Sequence, residues 1–237
     1  MMPFLLLYNI KVMNEYYIEH QKILLSVDCI IFGFEDYQLK VLIGHRNMDP
    51  GRGAWSLYGG FVRNGESLDE AADRTLFELT GLRNVYMRQV GAFGDVDRDP
   101  GARVVSIAYY ALINVKDYDR SLLEKHNVEW VNIDALPEMF SDHQEMIAKA
   151  RKLMQVKMKT QPVGFELLPP LFTLTQLQRL YEAVQGAELD KRNFRKRIKE
   201  MVCIEKTRLI DKTGSKRGAF LYRFNEKTYR EQEFFRL

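Results

Sequence analysis

The stretch from Gly59 to Leu82, GGFVRNGESLDEAADRTLFELTGL, constrains this 237-residue chain more than any other. It reads as a tight turn, one helix and a glycine stop. Gly59-Gly60 allows a close backbone approach that side chains would block. Ser67 and Glu70 have the spacing of a capping box, which places the helix start. Leu68, Ala71, Ala72, Thr75, Leu76 and Leu79 recur at helical spacing and form one apolar face. Glu70 and Arg74 stand four apart with the acid first, a favourable helical pair, and Gly81 is placed to cap the end.

The spacing of glycine, glutamate and arginine here resembles the Nudix box. Gly60, Glu66, Arg74, Leu76, Glu78, Gly81 and Leu82 fit its frame. In the hydrolases of that family, three further acids follow the arginine, bind Mg²⁺ and help activate water against a pyrophosphate. This chain has Thr75, Glu78 and Leu79 at those positions, so two of the three acids are missing. The positions are i, i+3 and i+4 and share one helix face. Mg²⁺ requires hard oxygen ligands near octahedral geometry, and diphosphate hydrolysis needs that metal. With Glu66 and Glu78 as the only residual box acids, the resemblance implies a Nudix fold without catalysis, metal or cofactor. Tyr58 also stands where the family usually has proline.

Runs rich in β-branched residues surround the helix. Ser26 to Phe34, Leu39 to Arg46, Val85 to Phe93, Arg103 to Val115 and Asn127 to Ile133 read as strands. Phe140-Ser141-Asp142-His143 opens a helix to about Lys159. The Asp142-His143 pair reads as an N-cap followed by a surface histidine. The expected fold is α/β, a mixed-sheet α/β/α sandwich over residues 1–159. Residues 1–12 read as a mis-called start before Met13 or as a frayed terminus, and Phe4 to Tyr8 is too short an apolar run to span a bilayer. Cys29 and Cys203 lie far apart and form no metal pattern, as expected of a reducing, cytoplasmic setting.

Residues 160–172 carry three of the seven prolines and read as a linker. Beyond it the charge balance changes. Residues 160–237 hold 16 Lys+Arg and 10 Asp+Glu, a net +6, leaving 19 and 22, a net −3, for the first 159. Thr173 with Gln176 marks a helix start, Gly186 a short turn, and Asp190 the cap of a second helix, LDKRNFRKRIKEM. Two strands follow, Val202 to Leu209 and Ala219 to Phe224, joined by a basic loop. This is a winged helix-turn-helix pattern. Lys191 to Arg217 carries 11 Lys+Arg against 3 Asp+Glu. Such local excess suits phosphate neutralisation. Lys191, Arg192 and Asn193, with Lys196 outward-facing, are placed to reach base edges, and Arg195, Lys199, Lys212, Lys216 and Arg217 to hold phosphates of double-stranded operator DNA.

Taken whole, residues 20–237 resemble the Nudix-related transcriptional regulators, among them the NrtR-type regulators of NAD metabolism and the AraR-type regulators of arabinose use. The resemblance implies a cytoplasmic homodimer, a repressor in which the Nudix-like domain binds a small effector that changes operator binding, with no membrane partner. The missing acids tilt the effector from an ADP-ribose-like nucleotide towards L-arabinose. Trp55, Tyr58, Phe61, Arg103 and Tyr109 are candidate effector contacts, because aromatic faces and planar donors suit sugars and ribose. An active hydrolase of ADP-ribose-like nucleoside diphosphates with a nucleic-acid-binding appendage is the alternative, and a non-enzymatic scaffold with a basic tail a third.

Overall fold

The computed structural model describes residues 20, 22–118, 120–161, 163–213 and 218–233. The reading of residues 1–12 and the wing cations Lys216 and Arg217 fall outside them.

Strand β1 (Leu24–Glu35) forms the centre. Its residues Val27 to Gly33 are all buried, with Ile30 and Phe32 on one face and Val27, Cys29 and Ile31 on the other. A strand covered on both faces needs such a continuous apolar run. β1 pairs in parallel with β6 (Val104–Leu112), whose outer edge takes β5 (Tyr86–Phe93). On its other edge β1 meets two strands in succession. Ile31 to Glu35 pair with β2 (Gln38–His45), and Ser26 to Cys29 pair with β4 (Tyr58–Phe61). Beyond Leu42, β2 therefore splays from β1 and runs on against β3 (Trp55–Ser56) and β7 (Val128–Asn132). That splay opens the cleft described below. Gly59-Gly60 lies within β4 rather than in a turn, and a Cβ on Gly59 would strike the Asp28 carboxylate and come within 2.7 Å of the Val27 carbonyl.

Helix α1 (Leu68–Thr80) covers one face of the sheet. Both halves of its capping box form, and Gly81 ends it at a φ of 69°. The short helix α2 (Arg120–His126) packs beside it. Helix α3 (His143–Thr160) covers the opposite face. The strand expected through Val115 stops at Leu112. Asn114 accepts the Lys116 N–H instead and turns the chain into a 3-10 segment.

The remaining chain forms β8 (Phe172–Thr173), α4 (Leu174–Gln185), α5 (Lys191–Glu200), β9 (Ile204–Asp211), β10 (Ala219–Phe224) and α6 (Glu226–Glu233). The strand order β8-β10-β9 gives the wing a three-stranded base. Thr173 and Gln176 cap α4 reciprocally, and Asp190 accepts the Asn193 N–H to start α5. Residues 163–172 form a packed strap: Val163, Phe165, Leu167 and Leu168 are buried, and Phe165 stacks on Phe224 with ring centroids 4.3 Å apart. One apolar core thus runs from Met146 and Met154 on α3 through Phe165 and Phe172 to Leu177, Val184 and Phe194. Among the described residues no helix is long and apolar enough to cross a membrane.

Phe165→Ala removes the ring that joins these parts. The expected loss is about 3–5 kcal/mol, seen as a lower urea midpoint by circular dichroism.

Candidate functional sites

The splay of β2 from β1 leaves a cleft of about 410 Å³. β4, the loops after β2 and β5, and the start of α3 complete its walls. Its floor holds buried charges. The Arg98 guanidinium donates twice to the Asp142 carboxylate, at 2.8 Å each, and lies 3.8 Å from Asp28. Ser106 donates to Asp28. The Leu57 N–H donates to Nδ1 of His143 at 3.0 Å, which places the ring proton on Nε2, 3.9 Å from the Asp28 carboxylate. Burial would raise the Asp142 carboxyl, but the paired Arg98 guanidinium outweighs it and holds the group below its usual range. For His143 the order is reversed. Burial pushes it down more strongly than the nearby carboxylates pull it up, so the ring is held neutral. Asp142 stands at the N-cap of α3 as expected but makes no side-chain cap, its carboxylate being held by Arg98, and His143 is buried rather than a surface residue.

The walls add aromatic faces and donors. Tyr58, Phe61 and Phe140 line the cleft, and the Arg46 guanidinium lies 4.1 Å from the Phe140 ring centre. Tyr58 meets His126 edge-on, and Nε2 of His126 is buried without a hydrogen-bond partner. Of the five effector contacts expected from sequence, Tyr58 and Phe61 line the cleft and the other three do not. Trp55 stacks on His45, Arg103 donates to the Asp95 carbonyl, and Tyr109 is buried with its hydroxyl on Asp69. Strand register accounts for the position of Tyr109. Tyr109 sits on β6 in register with Cys29 and faces α1, whereas the cleft-lining Asp28 is the next residue of β1 and points to the other face. Arg98, Asp28, Arg46 and His126 were not singled out by the sequence. A charged Asp28 inside an apolar strand was the one available signal.

At the Nudix-like helix the two residual box acids are engaged by arginines. Arg74 donates to Glu66 at 2.7 and 3.0 Å, the Arg63 N–H adds a third bond, and together they lower the Glu66 carboxyl to about 2. Glu78 lies 3.4 Å from Arg63 and 3.5 Å from Arg74. Both residual acids therefore face guanidinium groups. Thr75 is buried, with its hydroxyl unpartnered, and Leu79 is fully buried against Cys29, Ile31, Leu42 and Leu76. Among the described residues no three His, Cys, Asp or Glu side chains converge in a way that could hold a metal ion.

The second site is a basic face. On α5 only Phe194 and Ile198 are buried, and they dock on Tyr181 and the core. Lys191, Arg192, Asn193, Arg195, Lys196 and Lys199 all stand exposed on it. Lys212, at the end of β9, is exposed as well. Arg197 instead reaches back towards the Lys159 carbonyl, 3.5 Å away.

Comparison with known proteins matches the two sites to two family models. Residues 22–150 match the NUDIX domain, and residues 164–224 match the NrtR DNA-binding winged helix domain. The chain is 37% identical over 210 residues to the "ADPR responsive transcriptional repressor NtrR" of Acinetobacter baylyi, covering 87% of this chain and 84% of that protein. It is similar to the crystal structure of Shewanella oneidensis NrtR complexed with a 27mer DNA, with a TM-score of 0.78 and 30% identity, covering 87% of this chain and 95% of the other. It is also 27% identical over 143 residues to an ADP-ribose pyrophosphatase of Methanocaldococcus jannaschii, covering 59% of this chain and 82% of that protein.

Two outcomes follow from this geometry. Below the ordinary histidine value of about 6.5, unfolded His143 takes up a proton that the folded protein refuses, so stability falls as the pH falls through that value. Urea unfolding between about pH 7.5 and 5.5 shows that slope, and His143→Gln reduces it. Leu79→Glu places a carboxylate in a sealed apolar site and lowers stability by several kcal/mol, about 3–5, in the same assay.

Proposed function

The chain belongs to the Nudix family, in the NrtR-type form that joins a Nudix domain to a DNA-binding winged helix, and we propose that it is a transcriptional repressor that binds operator DNA and answers to a ligand of the ADP-ribose class. The observation that carries this reading is α5. It is a helix whose Lys191, Arg192, Arg195, Lys196 and Lys199 all stand exposed, in a unit that matches a DNA-binding winged helix and resembles a structure solved on DNA. Lys191, Arg192, Asn193 and Lys196 near its start are assigned to base edges. Arg195 and Lys199 on α5, and Lys212 with Lys216 and Arg217 on the wing, are assigned to phosphates. A homodimer would set two such helices about one DNA turn apart, on a palindromic operator.

The ligand belongs in the cleft. Tyr58, Phe61 and Phe140 offer faces for an adenine or ribose ring, and Arg46 offers charge-assisted donors for a diphosphate. The Acinetobacter relative supports this assignment by its response to ADPR. L-Arabinose, towards which the two missing acids tilt the sequence reading, has no support in these relatives, and a charged cleft floor suits a charged ligand better. The domain is proposed to bind without hydrolysing. Glu66 and Glu78 are engaged by arginines, and Thr75 and Leu79 supply no carboxylate to bring metal to a pyrophosphate.

The test is fluorescence anisotropy on DNA from upstream of the chain's own gene, with random DNA as control. Specific binding at about 100 mM salt, weakened about 5–150-fold by ADP-ribose, is expected. Equal affinity for random DNA would remove the reading, as would brisk Mg²⁺-dependent turnover of ADP-ribose. Arg195→Ala should lower the slope of log affinity against log salt by about 1, uniformly across sequences.

A further inference from the structure

Helix α3 starts at the cleft and passes beneath the winged helix. His143 at its first turn lines the cleft, and Arg98, another lining residue, holds Asp142 just before it. Eight residues on, about 12 Å along the axis, the same helix presents Arg151. The Arg151 guanidinium reaches three acceptors: the Ala183 carbonyl at 3.2 Å, the Val184 carbonyl at 3.4 Å and the Asp134 carboxylate at 2.6 Å. One turn further, the Gln155 amide donates to the Val184 carbonyl at 2.9 Å, and the Gln155 carbonyl accepts from the side chain of Gln185 at 3.0 Å.

The carbonyls of Ala183 and Val184 belong to the last turn of α4. The last carbonyls of a helix have no partner within it, and they form its negative end. Here α3 supplies the partners, and a guanidinium fork meets the negative end with fixed geometry. Asp134 ties the same fork to the turn after β7, and β7 is hydrogen-bonded to β2, whose Gly44 and His45 line the cleft. Arg151 therefore gathers, at one point, the two elements that leave the cleft and the helix that carries α5.

We propose that Arg151, with Gln155, is the joint through which a ligand in the cleft resets the DNA-binding unit. This rests on the reading of the cleft and of α5 given above. A ligand that engages Arg98 or His143 shifts the Arg98–Asp142 pair and with it the start of α3. The helix transmits that shift to the α4 carbonyls, because its hydrogen-bond forks hold or break rather than stretch. Arg151 and Gln155 neither line the cleft nor lie on α5. They are positioning residues.

The experiment measures three quantities on the full-length chain: ADP-ribose binding by calorimetry, operator binding without ligand, and operator binding with saturating ADP-ribose. In Arg151→Met and Gln155→Ala the first two are expected to stay within about threefold of wild type, while the ligand-induced change in operator affinity falls below about twofold. Arg151→Lys keeps the charge without the fork and should recover part of the response. Were Arg151→Met not to fold, Gln155→Ala gives the same readout from a residue that contributes one side-chain donor. A wild-type response retained in full by the variants overturns the joint alone. A wild type that binds its operator but ignores ADP-ribose overturns the cleft reading and the joint with it.

Discussion

The sheet and the winged helix share one helix packed on two sides. α3 puts Met146, Ile147, Ala150, Met154 and Met158 into an apolar core shared by the sheet and the winged helix. Three of those five are methionines, whose unbranched, polarisable side chains fill irregular gaps between unlike surfaces. The sheet cannot close this face without the helix, and α4 of the winged helix packs on both α3 and β2. The cleft inherits its shape from the same arrangement, because α3 begins where β2 leaves β1.

The charges at the base of the cleft are costly in this setting. Ions buried in a protein interior often lose more in desolvation than they recover from each other, and apolar replacements of similar volume are frequently more stable. Arg98, Asp28 and Asp142 are nevertheless set together within 4 Å, beside a neutral histidine. Stability alone does not account for such a cluster, whereas the proposed recognition of a charged ligand would. The Nudix-like helix shows the opposite trend. There the position that would carry a metal-binding acid has become part of the apolar interior.

The sequence revealed the strongly periodic and well-capped elements and hid those made by tertiary contact. Both capping boxes, Ser67 with Glu70 and Thr173 with Gln176, form as the spacing predicts. In α5, Phe194 and Ile198 turn inward and leave its cations exposed. α2, a single short segment, had no pattern long enough to read, and β8 is two residues that become a strand only by pairing with β10. The cleft was legible only in part. Tyr58 and Phe61 flank the glycines of β4 and could be inferred, but Arg98 and Asp142 lie 44 residues apart and meet only when the sheet is built.

The buried strap also bears on how such a protein can be taken apart by recombination. Two domain models match separate stretches of the chain, which invites the view of interchangeable modules. Yet Val163, just before the winged-helix stretch, and Phe165, Leu167 and Leu168 at its start lie inside a common core. A crossover in that segment would leave greasy, unmatched surfaces on both halves. A new reading head grafted onto this sensor must bring its own strap, along with the outward side of the helix on which the strap rests.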